Sequence, residues 1–496
     1  MSDGKVYLVG AGPGDPGLIT VRAVECLGRA DVVLYDYLAN PDLLKHAVQA
    51  EAICLGRHGH TRIWLQEEIN QRLVELARQG KSVVRLKSGD PAVFARGAEE
   101  VEYLAKQGID FEIVPGITAA LAAGSCAGIP VTHRDLASAV ALVTGQQKGG
   151  KGTDLDYQAL ARFPGTLVFY MGVTTADEWV PALIGAGKPA TTPVAIIRRV
   201  SFPDQQTHRC RLGELVTLIS QRNVRPPVIV VIGDVAGLPD DLSWFEQRRL
   251  FGQSILVTRP IGQSRGLCDP LVELGAEVLA QPCIEINAPK DWSGVDQAIS
   301  RLDQYDWLVF SSTNGVEFFM NRLLDRHDLR SLAGTQLAAV GPGTTAELAR
   351  YHLRVDLQPD EYRAEALALS LAPHVNEKRV LLLRASRGRE VLAEQLTRAG
   401  AIVEQVVTYE SSDVESPLEG IRQRIIDGSI DWVTVTSSAI AKSLVHLFAE
   451  SLAKTKLVSI SPVTSATLRE LGHEPACEAV TYDMPGVVAA IVASLN

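Results

Sequence analysis

The chain has 496 residues, of which 46% are hydrophobic and 21% charged, and its formal net charge is −10. This length predicts several globular units, and the excess of acidic residues argues against nucleic acid as a partner. No apolar run is long enough to span a membrane and no signal-peptide pattern opens the chain, so we expect a cytoplasmic protein without a membrane partner.

Short β-branched runs alternate with helical patterns over the first 240 residues. The predicted strands cover residues 6–9, 32–35, 83–86, 111–114, 167–170, 194–197 and 228–232. Between them, Leu65, Ile69, Leu73 and Leu76 recur at helical spacing, and Gly80 follows as a C-terminal cap. The alternation predicts an α/β fold with largely parallel strands, in which ligands bind at the carboxyl ends of the strands.

The first predicted strand leads into the glycine-rich loop GAGPGD at residues 10–15. Its first two glycines fit the dinucleotide-binding fingerprint, and Asp36 follows the second strand as the ribose-binding acid would. Pro13, however, removes an amide donor, and Asp15 adds a negative charge where a pyrophosphate would lie. A nicotinamide-dependent dehydrogenase is therefore disfavoured, and a cationic or zwitterionic cofactor fits the loop better.

Residues 238–253 interrupt the alternation with a proline, paired acids and a charged, aromatic, helix-like pattern. We predict a first domain over 1–240, a linker over 241–252 and a second domain over 253–496.

After the linker the sequence repeats itself. Arg259 in LVTRP recurs as Arg384 in LLLRAS, and the Asp-Trp pair at 306–307 recurs at 431–432. These landmarks predict an internal duplication that forms two similar α/β lobes, with a ligand in the cleft between them.

Four further motifs accompany the opening loop in the first half. They are RLKSGDPAVFARG, VPGITAA, AGIPVTHRD and FYMG, which begin at residues 85, 114, 127 and 169. With VGAGPGDPGLIT they closely resemble the uroporphyrinogen-III C-methyltransferase family of tetrapyrrole methylases over residues 5 to about 245. The resemblance implies a homodimer with lobes of about 1–115 and 116–240. It also implies two methyl transfers from S-adenosylmethionine (SAM) to uroporphyrinogen III, which yield precorrin-2 and S-adenosylhomocysteine.

The resemblance also implies site residues, with Asp36 as proton acceptor and Arg57 as proton donor. The implied SAM contacts are Pro13, Ser88, Gly89, Asp90, Val93, Thr118, Ala119, Met171 and Val200. Cations expected to bind the octacarboxylate substrate are Arg62, Lys87, Arg96, His133 and Arg134. Methyl transfer from a sulfonium needs alignment and then an acceptor for the proton that the substrate loses, which a strand-end carboxylate can provide.

Several residues depart from the methylase pattern, among them Ser88, Ala95 and Ala98, which stand where the family usually has glycine. Arg57 replaces the usual lysine. Because arginine holds its proton so firmly, it is a poor proton donor but a good clamp for a substrate carboxylate, and the sequence does not decide between the two roles. Val200 replaces a usual glycine, so a positive φ at this position would strain the backbone.

The second half has no nucleophile elbow, phosphate loop or metal-ligand spacing, but it has hydroxyls and arginines at predicted strand ends. The segments LVTRP, VFSSTNGV, AVGPGT, VVTYE, VTSS and SPVTSATL resemble uroporphyrinogen-III synthase over residues 253 to 494. The resemblance implies that hydroxymethylbilane is cyclised with inversion of its last ring. The implied lobes are about 253–286 with 412–496, and about 287–411.

In this half the resemblance makes Tyr409 the candidate acid at the leaving hydroxyl. The expected substrate contacts are Arg259, Ser311, Thr344, Arg384, Ser437 and Thr464. Ser461 stands where this family commonly has glycine.

These features predict a fused, bifunctional tetrapyrrole enzyme, a SAM-dependent methyltransferase and a lyase, that uses no metal. Two alternatives stay open: a methylase of a later corrinoid, and a second half that binds tetrapyrroles without turnover. The sequence leaves open whether an intermediate passes directly between the halves, and whether the product serves sirohaem or cobalamin synthesis.

Overall fold

The computed structural model describes residues 4–56, 64–146, 155–387 and 390–495. The chain divides into two compact units, Met1–Gln253 with Leu271–Glu277, and Ser254–Pro270 with Val278–Asn496. No helix in the described ranges has both the length and the apolar character needed to cross a membrane.

The first unit begins with a parallel sheet whose strands run in the order β3-β2-β4-β1-β5. The strands are β1 (Lys5–Gly10), β2 (Val32–Tyr35), β3 (Glu51–Cys54), β4 (Val83–Lys87) and β5 (Asp110–Val114). The helices are α1 (Val21–Gly28), α2 (Gln66–Arg78) and α3 (Gly97–Lys106), with 3₁₀ turns at Pro16–Leu18 and Pro41–His46. Buried residues of α2 and α3 pack on one face of the sheet and those of α1 on the other, as strand alternation requires.

A second sheet of this unit has the order β6-β7-β10-β8-β9. Its strands are β6 (Val140–Thr144), β7 (Thr166–Tyr170), β8 (Pro193–Arg198), β9 (Gln206–Arg211) and β10 (Val228–Ile232). The helices are α4 (Ala119–Cys126), α5 (Tyr157–Arg162), α6 (Ala176–Gly185) and α7 (Leu215–Gln221), with 3₁₀ turns at Leu212–Glu214, Asp234–Gly237 and Asp240–Leu242.

The expectation of largely parallel strands is wrong for this second sheet. β6 and β7 are parallel, but β10 is antiparallel to both β7 and β8, and β9 is antiparallel to β8. The connection from β8 to β9 is a short turn, which permits only a hairpin. The helix-like pattern of residues 238–253 is also misleading, because the segment forms the 3₁₀ turn Asp240–Leu242 and further turns.

The second unit contains two further sheets. Its strands are β11 (Ser254–Val257), β12 (Glu277–Ala280), β13 (Ile284–Asn287), β14 (Trp307–Phe310), β15 (Gln336–Ala339), β16 (Arg379–Ala385), β17 (Ile402–Asp413), β18 (Trp432–Val435), β19 (Lys456–Ser459) and β20 (Cys477–Glu478). We call the sheet β12-β11-β18-β19-β20 lobe one and the sheet β13-β17-β16-β14-β15 lobe two.

The helices of the second unit follow these strands, although the last three residues of the first of these helices belong to the first unit. They are α8 (Arg265–Glu273), α9 (Ser293–Ile299), α10 (Thr313–Leu324), α11 (Pro342–Arg350), α12 (Ala364–Leu371), α13 (Val391–Arg398), α14 (Ile421–Ile426), α15 (Ser438–Phe448), α16 (Pro462–Glu470) and α17 (Met484–Ala493). The 3₁₀ turns are Ile261–Gln263, Leu302–Gln304, Leu329–Leu332, Ala372–His374 and Ala449–Lys454.

The two lobes confirm the internal duplication. The order β12-β11-β18-β19 in lobe one matches β17-β16-β14-β15 in lobe two, and Trp432 begins β18 as Trp307 begins β14. β20 pairs with β19 in lobe one, and in lobe two Leu357 occupies the equivalent position, where it forms an isolated parallel β-bridge with Ala338 of β15. Each lobe therefore combines the early strands of one sequence repeat with the late strands of the other, and β13 adds an antiparallel strand beside β17.

Candidate functional site

Glycines bring three strand-end loops of the first sheet into backbone contact. A Cβ on Gly10 would lie 2.5 Å from Cα of Gly116 and 2.8 Å from the carbonyl oxygen of Gly89. The amide of Gly89 donates to the carbonyl of Gly12 at 2.8 Å, and the amide of Gly12 donates back to the carbonyl of Gly89 at 3.1 Å. The loops after β1, β4 and β5 are thus closely packed at the carboxyl edge of the sheet.

The acidic side chains of these loops bind backbone amides. Asp90 accepts from the amides of Ala92 at 2.7 Å and Gly116 at 2.9 Å, which ties the loop after β4 to the loop after β5. Asp15 accepts from the amide of Gly17 at 2.7 Å and begins the 3₁₀ turn. Pro13 and Gly89 are buried, and Ser88 and Val93 are partly buried.

Tyr170, at the end of β7, links these loops to the second sheet. Its hydroxyl lies 2.6 Å from Oγ1 of Thr118 and accepts from the amide of Ala120 at 2.9 Å. Its ring lies 5.1 Å from the ring of Phe94. Burial raises the pKa of Tyr170 above its usual value. Thr118 and Ala119, both predicted SAM contacts, therefore lie at the start of α4 beside the end of β7.

Strained backbone occurs in the loops that follow β4, β7 and β8. Positive φ values occur at Phe94 (50°), Arg96 (57°), Met171 (53°), Arg199 (50°) and Ser201 (63°). Such strain in non-glycine residues is typical of functional sites. Val200, in contrast, is not among the residues with positive φ, and the strain falls on its two neighbours.

Asp36 lies at the end of β2 and forms an ion pair with Arg85 through its Oδ1 atom. The Asp36 side chain is 32% exposed, whereas that of Arg85 is 3% exposed. The amide of Asp36 donates to the carbonyl of Leu86 at 3.0 Å, which fixes the end of β2 against β4. Asp36 is thus a partly exposed carboxylate at the carboxyl edge of the first sheet.

The predicted substrate cations have different environments. Lys87 is buried, and its Nζ atom lies 2.9 Å from Oε1 of Glu100. Arg96 is exposed and pairs with Glu99 at 2.6 Å. His133 is partly buried, its Nδ1 accepting from the amide of Asp135 at 3.2 Å, and Arg134 is exposed. Arg57 and Arg62 lie outside the described residues.

In lobe two, the hydroxyl of Tyr409 lies 3.0 Å from Oγ of Ser312. Ser312 also accepts from the amide of Gly315 at 3.0 Å and is the N-cap of α10. The predicted neighbour Ser311 instead donates to the carbonyl of Leu383 at 3.1 Å. Ser312 is one of the hydroxyls at predicted strand ends, but the sequence alone does not predict its contact with Tyr409, although a serine just before a helical pattern is a recognisable N-cap signal.

The other hydroxyls predicted to contact substrate lie mainly at helix starts. Ser437 is the N-cap of α15 and accepts from the amide of Ile440 at 3.2 Å. Thr464 is buried near the start of α16, 3.2 Å from Oγ of the N-cap Ser461. Thr344 is buried in the first turns of α11. The serine at 461 thus supplies a side-chain cap.

The two repeat-related arginines differ in their partners. Arg384 pairs with the carboxylate of Glu390 and donates to Oε1 of Gln405 at 2.6 Å. Arg259 donates to the carbonyl of Gln263 at 3.1 Å, to Oε1 of the same residue at 3.3 Å and to Oγ1 of Thr436 at 3.4 Å.

These partners of Arg259 are neutral, and in the part of the chain that the structure describes no carboxylate pairs with it. Burial lowers the pKa of Arg259 below its usual value. A partly buried guanidinium without a counter-ion is suited to binding an anion. Among the described residues there is no cluster of three or more His, Cys, Asp or Glu side chains that could hold a metal ion.

Comparison with known proteins gives matches to both halves. The family model described as Tetrapyrrole (Corrin/Porphyrin) Methylases matches residues 5–216, and the one described as Uroporphyrinogen-III synthase HemD matches residues 267–489. The porphyrin biosynthesis protein HemD of Ruminiclostridium josui is 35% identical over 99% of this chain and 96% of its own length.

Two further proteins are similar over part of the chain. The uroporphyrinogen-III C-methyltransferase of Bacillus subtilis (strain 168) is 39% identical over 73% of this chain and 74% of its own length. The solved structure of uroporphyrin-III C-methyl transferase from Thermus thermophilus, complexed with S-adenyl homocysteine, is 40% identical. It covers 47% of this chain and 99% of its own, with a TM-score of 0.42.

Proposed function

Because the chain belongs to the tetrapyrrole methylases in its first half and to the uroporphyrinogen-III synthase HemD family in its second, we propose that it is a bifunctional enzyme. The second half cyclises hydroxymethylbilane to uroporphyrinogen III with inversion of the last ring. The first half methylates that product twice to precorrin-2. The product of one half is then the substrate of the other, and we propose a cytoplasmic homodimer formed through the methylase half.

The charges of the first-half loops fit SAM better than a phosphate-bearing cofactor. Residues 10–20, 88–93 and 114–120 contain two carboxylates, Asp15 and Asp90, and no lysine or arginine. A pyrophosphate would be repelled there, whereas a sulfonium cation with a neutral adenosine would not. When bound, SAM supplies an electrophilic methyl group. The residues proposed to hold it are Pro13, Ser88, Gly89, Asp90, Val93, Thr118, Ala119, Met171 and Val200.

The proposed methylation depends most on Asp36. Alignment of the substrate carbon with the methyl group accomplishes most of the chemistry, and the macrocycle must then lose a proton. The partly exposed Asp36 carboxylate accepts that proton, while Arg85 holds its Oδ1 atom.

Carboxylates of the substrate are proposed to bind Arg62, Arg96, His133 and Arg134, with Arg57 as proton donor or carboxylate clamp. Lys87 would first have to leave Glu100.

The proposed cyclisation depends on Tyr409. The hydroxyl of hydroxymethylbilane leaves as water when its C–O bond breaks and an acid donates a proton. Ring closure then forms a C–C bond, and a pyrrole carbon loses a proton, so that one molecule of water is lost overall. Tyr409, oriented by Ser312, donates a hydrogen bond to the leaving hydroxyl. Arg259 binds a substrate carboxylate, and the proposed hydrogen-bonding neighbours are Ser311, Thr344, Arg384, Ser437 and Thr464.

One assay tests both halves. The full-length chain is supplied with hydroxymethylbilane and SAM, and the products are separated by chromatography and mass. We expect dimethylated precorrin-2. Accumulation of unmethylated uroporphyrinogen III would contradict the methylase proposal, and formation of uroporphyrinogen I alone would contradict the synthase proposal.

A further inference from the structure

A buried ionic cluster lies next to Asp36. We call Arg85, Lys87 and Glu100 the Glu100 cluster; these residues are 2%, 1% and 0% exposed. Oε1 of Glu100, on α3, accepts from Nζ of Lys87 at 2.9 Å, from Nε2 of Gln66 at 3.0 Å and from Nε of Arg85 at 3.2 Å. One carboxylate oxygen therefore joins α3 to both β4 and the start of α2.

Arg85 connects this cluster to Asp36. Its Nε atom binds Glu100, its Nη2 atom binds Oδ1 of Asp36, and its Nη1 atom lies 3.3 Å from the carbonyl of Leu86 and 3.4 Å from that of Leu34. The guanidinium is thus held on three sides. The Asp36 side chain, 32% exposed, is where this network reaches solvent.

The charges of the network balance. Two cations, Arg85 and Lys87, face two carboxylates, Asp36 and Glu100. Although burial opposes its charge, the carboxylates of Asp36 and Glu100 raise the pKa of Arg85 above its usual value. Burial and the neighbouring charge of Arg85 lower the pKa of Lys87.

Stabilisation of the fold does not explain why Arg85, Lys87 and Glu100 are charged. Val83, on the same face of β4, packs in the apolar core with Leu104 of α3. Apolar side chains at 85, 87 and 100 would extend that core, and replacing buried ion pairs in this way is often neutral or stabilising. A role at Asp36 accounts for the cluster better.

We propose that Glu100 is a positioning residue: by fixing Arg85, it holds the Asp36 carboxylate in the orientation in which it accepts the substrate proton. The contacts of Asp36 with described side chains use Oδ1, which leaves Oδ2 to take the proton while Arg85 stays charged. The inference rests on the proposed methylation and on Asp36 as its proton acceptor.

The test compares Glu100→Gln with Glu112→Gln in the full-length chain. Glu112, on β5, also pairs with one lysine and one arginine, Lys5 at 3.1 Å and Arg22 at 2.8 Å, but it does not contact Asp36. We expect Glu100→Gln to lower kcat for methylation of uroporphyrinogen III about tenfold or more, as an impaired rather than absent general base would. The SAM dissociation constant and the KM for uroporphyrinogen III should stay within about twofold of wild type, a split that global destabilisation would not produce. Glu112→Gln should match wild type in kcat, in the SAM dissociation constant and in the KM for uroporphyrinogen III.

A second variant tests whether Glu100 acts by positioning Arg85 or only by balancing the buried charges. It also keeps the proposal testable if Glu100→Gln does not fold. Lys87→Met combined with Glu100→Gln restores the balance of charges but leaves Arg85 with only a neutral amide in place of its carboxylate partner on α3. We expect this double variant to fold with near-wild-type thermal stability and to keep the low kcat. A kcat restored to wild type would overturn the proposal, as would a Glu100→Gln variant as active as Glu112→Gln. A wild-type chain that does not methylate uroporphyrinogen III would contradict the proposed function instead.

Discussion

The hydroxyl of Tyr409 lies 3.0 Å from Oγ of Ser312, the residue that caps α10. This contact attaches the candidate acid of the second unit to a helix N-terminus, where the backbone amides create a positive potential. Phe318 of the same helix stacks on the Tyr409 ring with centroids 6.0 Å apart. Ser312 holds the hydroxyl and Phe318 packs on the ring, so a mutation that removes only the hydroxyl should leave the ring packing intact.

Tyr409→Phe should slow cyclisation of hydroxymethylbilane by about 10²-fold, the range of one lost acid, while the stacked ring keeps the fold intact. Uncatalysed closure then competes, so uninverted uroporphyrinogen I should rise in the product mixture. Chromatographic typing of the isomers measures both effects. Tyr305→Phe is the matched control, because the buried Tyr305 donates to Glu404 at 2.6 Å in the same lobe. Unchanged isomer III output by Tyr409→Phe would remove Tyr409 from the mechanism.

Asp36→Asn should reduce methyl transfer by ~10²–10⁴-fold, since the amide keeps an oxygen for Arg85 but cannot accept the proton. Calorimetric titration with SAM should give a wild-type dissociation constant. Asp31→Asn, at the opposite end of β2, is the control; Asp31 accepts from the amide of Ser82 at 2.7 Å. Loss of SAM binding by Asp36→Asn would instead assign Asp36 a structural role.

Arg259→Gln should raise the KM for hydroxymethylbilane about tenfold, which corresponds to ~1.4 kcal/mol for a lost charge-assisted hydrogen bond. The change in kcat should be smaller. Initial rates over a range of hydroxymethylbilane concentrations measure this split. Arg322→Gln is a control elsewhere in the unit, because Arg322 pairs with Asp296 at 2.7 Å. A KM equal to that of the control would show that Arg259 does not bind the substrate.

Glu112→Gln should lower the Tm at neutral pH but not in strong acid. Hydrogen bonds from Arg22 and then Lys5 lower the pKa of Glu112 to about 2, from a usual 4.5. A carboxylate with a depressed folded-state pKa stabilises the fold above its unfolded pKa, and this stabilisation disappears as pH falls from about 4.5 towards 2. Melting curves of both proteins between pH 7 and pH 2 should therefore converge. A constant difference in Tm over this range would contradict the assignment.

Periodicity and turn chemistry predict much of the architecture. The strands over 32–35 and 228–232 have the predicted bounds, and the recurring Asp-Trp pair correctly predicts the duplicated sheets. Periodicity does not reveal β9, because its sequence, QTHRCR, is polar and it lies at a sheet edge. The antiparallel position of β10 depends on long-range packing that no local pattern records.

The site is less accessible to sequence reasoning. Alternation along β4 places Lys87 on the same face as Arg85, but only the tertiary structure shows that Glu100 covers that face. The motif spacing likewise predicts that Lys87 and Arg96 lie near the substrate. It does not show that each of them already pairs with a glutamate, Lys87 with Glu100 and Arg96 with Glu99. The sequence repeat also does not predict the partners of its arginines: Arg259 bonds to Gln263, whereas the equivalent Arg384 pairs with Glu390.

The exchange of strands between the two repeats of the second unit suggests how it arose. A chain with only the first repeat would contain β11 and β12 of one lobe and β14 and β15 of the other, each a half-sheet with an unpaired edge. Two copies of such a chain would complete both sheets by trading segments. The simplest ancestor is therefore a symmetric, segment-swapped pair of identical subunits that gene duplication and fusion joined into one polypeptide.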